Sequence, residues 1–161
     1  MTTIEADIDA DMLSALSFAT NTGKLVMLFV YLVLFILGGF LLYSAMFAAV
    51  GSAVDTQQDA SQLQTPIMIP IILAIFMAMA VFNDPNSSLA FWGSIIPFTS
   101  PVVMMARVPF GIPTWQIILS LALLYASVVA MAWAAGKIYR VGIFMHGKKP
   151  SFKELLSWIR Q

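Results

Sequence analysis

The sequence contains no cysteine, one histidine and few charged residues, and each shortage excludes a class of protein. Without cysteine the chain offers no disulfides and no thiolate metal ligands, and His146 alone makes no histidine cluster for zinc. Hydrophobic residues make up 60% of the chain and charged residues 10%, whereas a soluble domain has about 25% charged residues. Eight basic and eight acidic residues are too few to cover a soluble surface, so we predict a membrane protein.

Motifs for catalysis and cofactors are missing too. The segment Thr20–Leu25 resembles a phosphate-binding loop, but it lacks the first glycine, and Leu25 stands in place of the required serine or threonine. The sequence contains no nucleophile–base pair and no pair of catalytic carboxylates. We therefore expect no enzyme activity, no cofactor, no metal site and no nucleic-acid partner.

Long uncharged runs predict three membrane-spanning helices, because a span needs about 20 apolar residues. The runs cover residues 25–54, 66–82 and 115–136. The polar block 55–65 lies between the first two runs, and an acid at the centre of a span costs about 2.5–3.5 kcal/mol on insertion scales. An ordinary solvated loop is favoured for this block over a cytoplasmic vestibule or a contact for a soluble partner. The candidate vestibule residues are Asp55, Gln57, Gln58 and Asp59.

Residues 89–105 are apolar but contain Pro97 and Pro101. Each proline removes a backbone donor and clashes with the preceding turn. In lipid, the carbonyls that are freed need protein or a water-filled cavity around them. We therefore predict a broken, re-entrant hairpin, with a kinked full span as the alternative.

The distribution of basic residues predicts the orientation. Six of the eight follow the last apolar run, which places the C-terminal tail in the cytoplasm and, with three spans, the N-terminus outside. Arg107 is the one basic residue of the outer segment 83–113. An outside N-terminus without an export signal predicts the C-terminal part of a longer protein; the alternative is a small protein whose first helix is a reverse signal anchor.

Two further patterns predict contacts. Small residues at every fourth position let membrane helices approach closely, and the last run has such a row, consisting of Ala122, Ala126, Ala130 and Ala134. In the tail, Ser151 and Glu154 form a capping box. An apolar face flanked by lysines follows it, which favours an amphipathic helix on the anionic inner leaflet over one docked on a soluble subunit.

The order of elements resembles the C-terminal half of permeases of the type-2 ABC exporter class, in the sodium-exporter NatB-like branch. Three stretches are responsible for the resemblance: residues 48–70, with Pro66 and Pro70; residues 89–115, LAFWGSIIPFTSPVVMMARVPFGIPTW; and residues 134–160, AAGKIYRVGIFMHGKKPSFKELLSWIR.

The resemblance implies an ATP-driven export permease in a bacterial inner membrane, with this chain as its fourth to sixth spans. It implies a separate ATPase subunit and either an N-terminal permease half or a second permease copy as partners. Asp55 and Asp59 would lie near the cytoplasmic mouth, and the hairpin with Pro97, Pro101 and Arg107 near the outer gate. The substrate, sodium or a small molecule, is left open. The competing hypothesis is a small structural or regulatory protein that packs against another helical bundle through its alanine row.

Overall fold

The computed structural model describes residues 21–54 and 56–144, with side chains up to residue 140, and its regular elements are all helical. They are α1 (Thr22–Ala53), α2 (Gln57–Val81), α3 (Ser88–Ile95), α4 (Ser100–Arg107), a 3-10 helix (Val108–Phe110) and α5 (Thr114–Phe144). Within these described ranges, three helices (α1, α2 and α5) are long and apolar enough to cross a bilayer. The prediction of an all-α membrane protein with three spanning helices is confirmed.

The chain divides into two compact units after Leu34. The described part of the first unit is the beginning of α1, whose side chains are mostly exposed, as those of a lipid-facing helix would be. The second unit starts at Phe35 and contains the rest of α1 and all the later helices.

The start of α2 differs from the prediction. Residues 57–65 are helical, so the prediction of a loop over the polar block is wrong for that part of it. Thr56 caps the helix: its hydroxyl oxygen accepts from the Asp59 amide at 3.2 Å, and the hydroxyl donates to the Asp59 carboxylate at 2.6 Å. The Thr56 side chain thus satisfies one amide of the first turn, as an N-cap residue does. The helix therefore begins nine residues before Pro66, and it continues through Pro66 and Pro70.

Two hydrophobic clusters hold the second unit together. The first joins α1, α2 and α5 at the end where α1 connects to α2, the connection end; its buried residues are Ala49, Val50, Leu63, Ile67 and Ile138. The second packs α2 against α3 and α4 at the opposite, hairpin end; its buried residues are Ala74, Val81, Ala90 and Val103.

The amphipathic tail helix predicted after residue 144 and the acidic N-terminal segment lie outside the described residues, as does Asp55.

Candidate functional site

Helices α3 and α4 form a hairpin that lies between the spanning helices. Helix α3 ends at Ile95, before Pro97, and α4 begins at Ser100 with Pro101 in its first turn. Proline is tolerated at a helix start because the amides there have no intrahelical partner. The two prolines thus lie at the turn and at the beginning of α4, where they interrupt no helix.

The hairpin contacts α2 and α5 at positions well inside these helices, away from their ends. Ser120 on α5 lies six residues after Thr114, which is about 9 Å along the helix at 1.5 Å per residue. The Ser120 hydroxyl donates to the Ser94 carbonyl of α3 at 2.6 Å. On α2, Ala74 contributes to the hairpin cluster although it lies seven residues before Val81. These contacts place α3 and α4 alongside the spans, as a re-entrant element requires.

Hydroxyl groups satisfy the backbone carbonyls at the break. Thr99 donates to the Gly93 carbonyl at 2.6 Å. The Tyr43 hydroxyl of α1 donates to the Phe98 carbonyl at 2.7 Å. With the bond from Ser120, three carbonyls receive donors from three different segments. A broken helix at membrane depth would need such internal hydrogen bonds, because lipid provides no donors.

Arg107, at the end of α4, is 2% exposed and ties the hairpin together. Its Nε donates to the Pro85 carbonyl at 2.8 Å, and its Nη1 donates to the Ser94 hydroxyl at 2.6 Å. The Ser94 hydroxyl in turn donates to the Phe91 carbonyl at 2.7 Å. The side chain therefore links the turn before α3, the last turn of α3 and the end of α4.

No carboxylate of the described residues pairs with Arg107; its two bonds go to neutral oxygens. Burial lowers the pKa of its guanidinium from the ordinary value, but arginine stays protonated in proteins. A buried charge without an ionic partner is expensive unless it is fully hydrogen-bonded. Arg107 is thus a fixed positive charge inside the hairpin, held by dipoles alone.

Glycines allow the close approach of the hairpin and the spans. A Cβ at Gly39 would lie 3.0 Å from the ring of Pro101, and one at Gly38 would lie 2.6 Å from Leu124 Cδ2. On the hairpin side, a Cβ at Gly93 would lie 2.8 Å from Met77 Sδ. A side chain at Gly38 or Gly39 would require Leu124 or Pro101 to shift, and one at Gly93 would require the flexible Met77 side chain to move, so glycine favours the close packing of these helices.

The structure brings some of the predicted site residues together and leaves others apart. Pro97, Pro101 and Arg107 all belong to the hairpin. Gln57, Gln58 and Asp59 form the first turn of α2, at the connection end. In the described part of the chain, no group of three or more acidic or histidine side chains is placed to hold a metal ion.

The alanine row of α5 winds around the helix. Ala122, Ala126 and Ala130 are exposed, and Ala134 is buried. Each step of four residues rotates the position by about 40° on a helix of 3.6 residues per turn, so the row passes from the outer face to the core. Its exposed part makes no seam within the described chain, and packing against a further helix stays a prediction.

Sequence reasoning missed the partners of the hairpin. Tyr43, Ser94 and Ser120 are single polar residues in apolar runs, and Gly38 and Gly39 are adjacent in the first run. Hydroxyls in membrane helices commonly bond across helices, and small residues mark close approach. These hydroxyl residues and glycines indicate contacts between helices, but they do not identify the partner residues. The Thr56–Asp59 cap was also readable from the sequence.

These features define a class: a polytopic helical membrane protein with a broken, internally hydrogen-bonded hairpin among its spans. Residues 12–137 match the family model described as ABC-2 family transporter protein, and the chain belongs to that family. It is thus a transmembrane component of the ABC transporter type.

The chain is 30% identical over 132 residues to an uncharacterized protein, YhaP, of Bacillus subtilis (strain 168). The alignment covers 81% of this chain and 32% of that relative, so the chain spans about a third of its length. No solved structure matches significantly.

Proposed function

We propose that the chain forms the last three spans of an ATP-driven ABC export permease of the NatB-like branch, with the hairpin acting at the outer gate. The observation that supports this most is the α3–α4 hairpin beside the spans, whose backbone break is satisfied by Tyr43, Thr99 and Ser120. Broken helices surrounded by protein are recurrent features of transport paths. Membership of the ABC-2 family agrees with this role.

The proposed location is a bacterial inner membrane. The proposed orientation places the tail and the connection end on its cytoplasmic side. Three spans then place the hairpin end outside. Gln57, Gln58 and Asp59 would lie at the cytoplasmic mouth of the path, together with Asp55, and Pro97, Pro101 and Arg107 on the outer side. The basic tail supports this orientation because lysine and arginine are enriched in cytoplasmic segments.

The proposed partners are a separate ATPase subunit and either an N-terminal permease half or a second permease copy. The chain contains no phosphate-binding loop, so ATP would be bound by the partner. Sodium or another small solute is the proposed cargo.

Co-purification tests the proposal. Expressed with its natural neighbouring genes and purified through a tag, the chain is expected to capture an ATPase subunit. Gln58→Lys, at the exposed first turn of α2, should reduce that capture, and the matched control Asn86→Lys, at the exposed turn before α3, should not. Capture of another helical membrane protein without any ATPase would favour the structural or regulatory alternative and contradict the permease.

Cysteine labelling tests the orientation separately. The chain has no cysteine of its own, so any labelling comes from the single cysteine that is introduced. In intact cells, a membrane-impermeant maleimide should modify Asn86→Cys and spare Gln58→Cys and Lys148→Cys until the cells are opened. The reverse pattern would invert the proposed orientation and leave the family membership untouched.

A further inference from the structure

Basic and aromatic side chains lie together near the end of α5; they are exposed except for Lys137, which is half-buried. Trp133 is 59% exposed and Tyr139 57%, and Arg140 is exposed as well. The Lys137 ammonium lies 4.3 Å from the centre of the Trp133 ring, within the range of a cation–π contact. We call Trp133, Lys137, Tyr139 and Arg140 the basic end of α5.

Three of these side chains share one face of the helix. Trp133, Lys137 and Arg140 are spaced at i, i+4 and i+7, which brings them into line. The same face continues towards the hairpin end with Val129, which is 69% exposed. The face thus changes from purely apolar to aromatic and then to cationic within about two turns.

The basic end of α5 also has a defined level along the bundle. Ile138, between its members, packs with Leu63 of α2 and Ala49 of α1 at the connection end. The polar first turns of α2 lie just beyond Leu63. This is therefore the level at which the bundle changes from apolar to polar, which corresponds to the headgroup region of a bilayer.

We propose that the basic end of α5 binds the phosphate of an anionic phospholipid. Tryptophan and tyrosine prefer the headgroup level, and lysine and arginine extend their charged ends to it while their stems stay on apolar surface. Lys137 and Arg140 are both basic and so complement a negative phosphate; of the two described acids, Asp84 lies at the hairpin end and Asp59 in the first turn of α2 at the connection end. Val129 offers apolar surface for the acyl chains directly below.

The bulk of this face argues for a lipid over a second helix. A close helix pair needs small residues along its contact. The exposed Trp133 ring and the Lys137 side chain stacked on it project from the face that bears Ala126. A flexible acyl chain fits beside such projections better than a rigid helix does.

The test uses the purified full chain in neutral detergent, with phosphatidylglycerol or phosphatidylcholine as the added probe. Retained lipid is counted by native mass spectrometry and affinity is measured by titration. Phosphatidylglycerol should bind more tightly than phosphatidylcholine. Lys137→Gln or Arg140→Gln should each weaken phosphatidylglycerol binding by about fivefold, and the double variant by about 25-fold, since one surface charge near anionic lipid contributes about that factor. High salt should reduce the preference.

Matched variants locate the site. Lys24→Gln, which removes an exposed charge in the first turn of α1, should leave phosphatidylglycerol binding unchanged. Trp133→Leu should weaken it while keeping both charges. The proposal is overturned if the preference for phosphatidylglycerol is abolished by the tail variant Lys148→Gln/Lys149→Gln/Lys153→Gln but not by Lys137→Gln/Arg140→Gln. It is also overturned if Lys24→Gln weakens phosphatidylglycerol binding as much as Lys137→Gln/Arg140→Gln does. Disulfide-linked dimers of Ala126→Cys formed in phosphatidylglycerol bilayers would also overturn it, because a second copy would then occupy the face. None of these outcomes depends on an ATPase partner.

Discussion

Arg107→Ala is expected to destabilise the protein by about 2–4 kcal/mol. Hydrogen bonds to charged groups contribute about 1.5–3 kcal/mol each, and Arg107 makes two, to the Pro85 carbonyl and the Ser94 hydroxyl. The substitution also leaves a cavity at a site that is 2% exposed. Burying a cation without an ionic partner is itself unfavourable, so removing Arg107 offsets part of the lost stability. The measurement is the free energy of unfolding in mixed detergent micelles, followed by SDS titration.

Two variants separate the hydrogen bonds from other effects of the substitution. Arg140→Ala, at an exposed arginine, should change the stability in neutral detergent by no more than about 0.5 kcal/mol. Arg107→Met fills most of the volume but donates no hydrogen bond, so it should lie between the wild type and Arg107→Ala. If Arg107→Met is as stable as the wild type or more so, the guanidinium bonds do not hold the hairpin closed.

Alanine at both Gly38 and Gly39 is expected to cost about 2–4 kcal/mol. Each new Cβ would meet a tightly packed neighbour: Leu124, which is fully buried, or the Pro101 ring, which has no rotamer to move to. Overpacking a filled site typically costs about 1–3 kcal/mol. The same SDS titration measures it, and a cysteine pair at Tyr43 and Phe98 should cross-link less efficiently in the variant because the hairpin is pushed from α1.

Gly51 provides the matched control in the same helix. No heavy atom lies within 4 Å of a Cβ built there, and alanine is about 0.8–1.0 kcal/mol more favourable than glycine inside a helix in water. Gly51→Ala should therefore be neutral or stabilising. A loss of stability at Gly51 equal to that at Gly38 and Gly39 would attribute the effect to glycine flexibility in α1, against the contact with the hairpin.

The spans and the break were predictable because both follow from solvation. Uncharged runs must cross lipid, and Pro97 with Pro101 disfavours one continuous helix there, although α2 does continue through Pro66 and Pro70. The polar residues 57–65 were predicted as a loop because polarity was weighed above helix propensity. Glutamine, alanine and leucine favour helix, and the Thr56–Asp59 cap starts one. Polarity excludes the membrane interior, but it does not exclude a helix.

The partners in the hairpin could not be derived from the sequence. The bond between Tyr43 and the Phe98 carbonyl joins residues 55 positions apart, and that between Ser120 and the Ser94 carbonyl joins residues 26 apart. Each depends on how α1 and α5 rotate about their axes, which a single apolar run does not determine. Arg107 was placed in the hairpin, but its burial was not foreseen, because an unpaired arginine is usually exposed.

The short joint between α1 and α2 limits how the second unit can deform. Three residues, numbers 54–56, separate Ala53 from Gln57, so these two helix ends cannot be more than about 14 Å apart at the maximal span of a chain. At its other end, α2 continues into the α3–α4 segment, which leads to α5. A change in the angle between α1 and α2 would therefore pivot about the joint. In such a change, the joint at Thr56 would move least and the hairpin would move most.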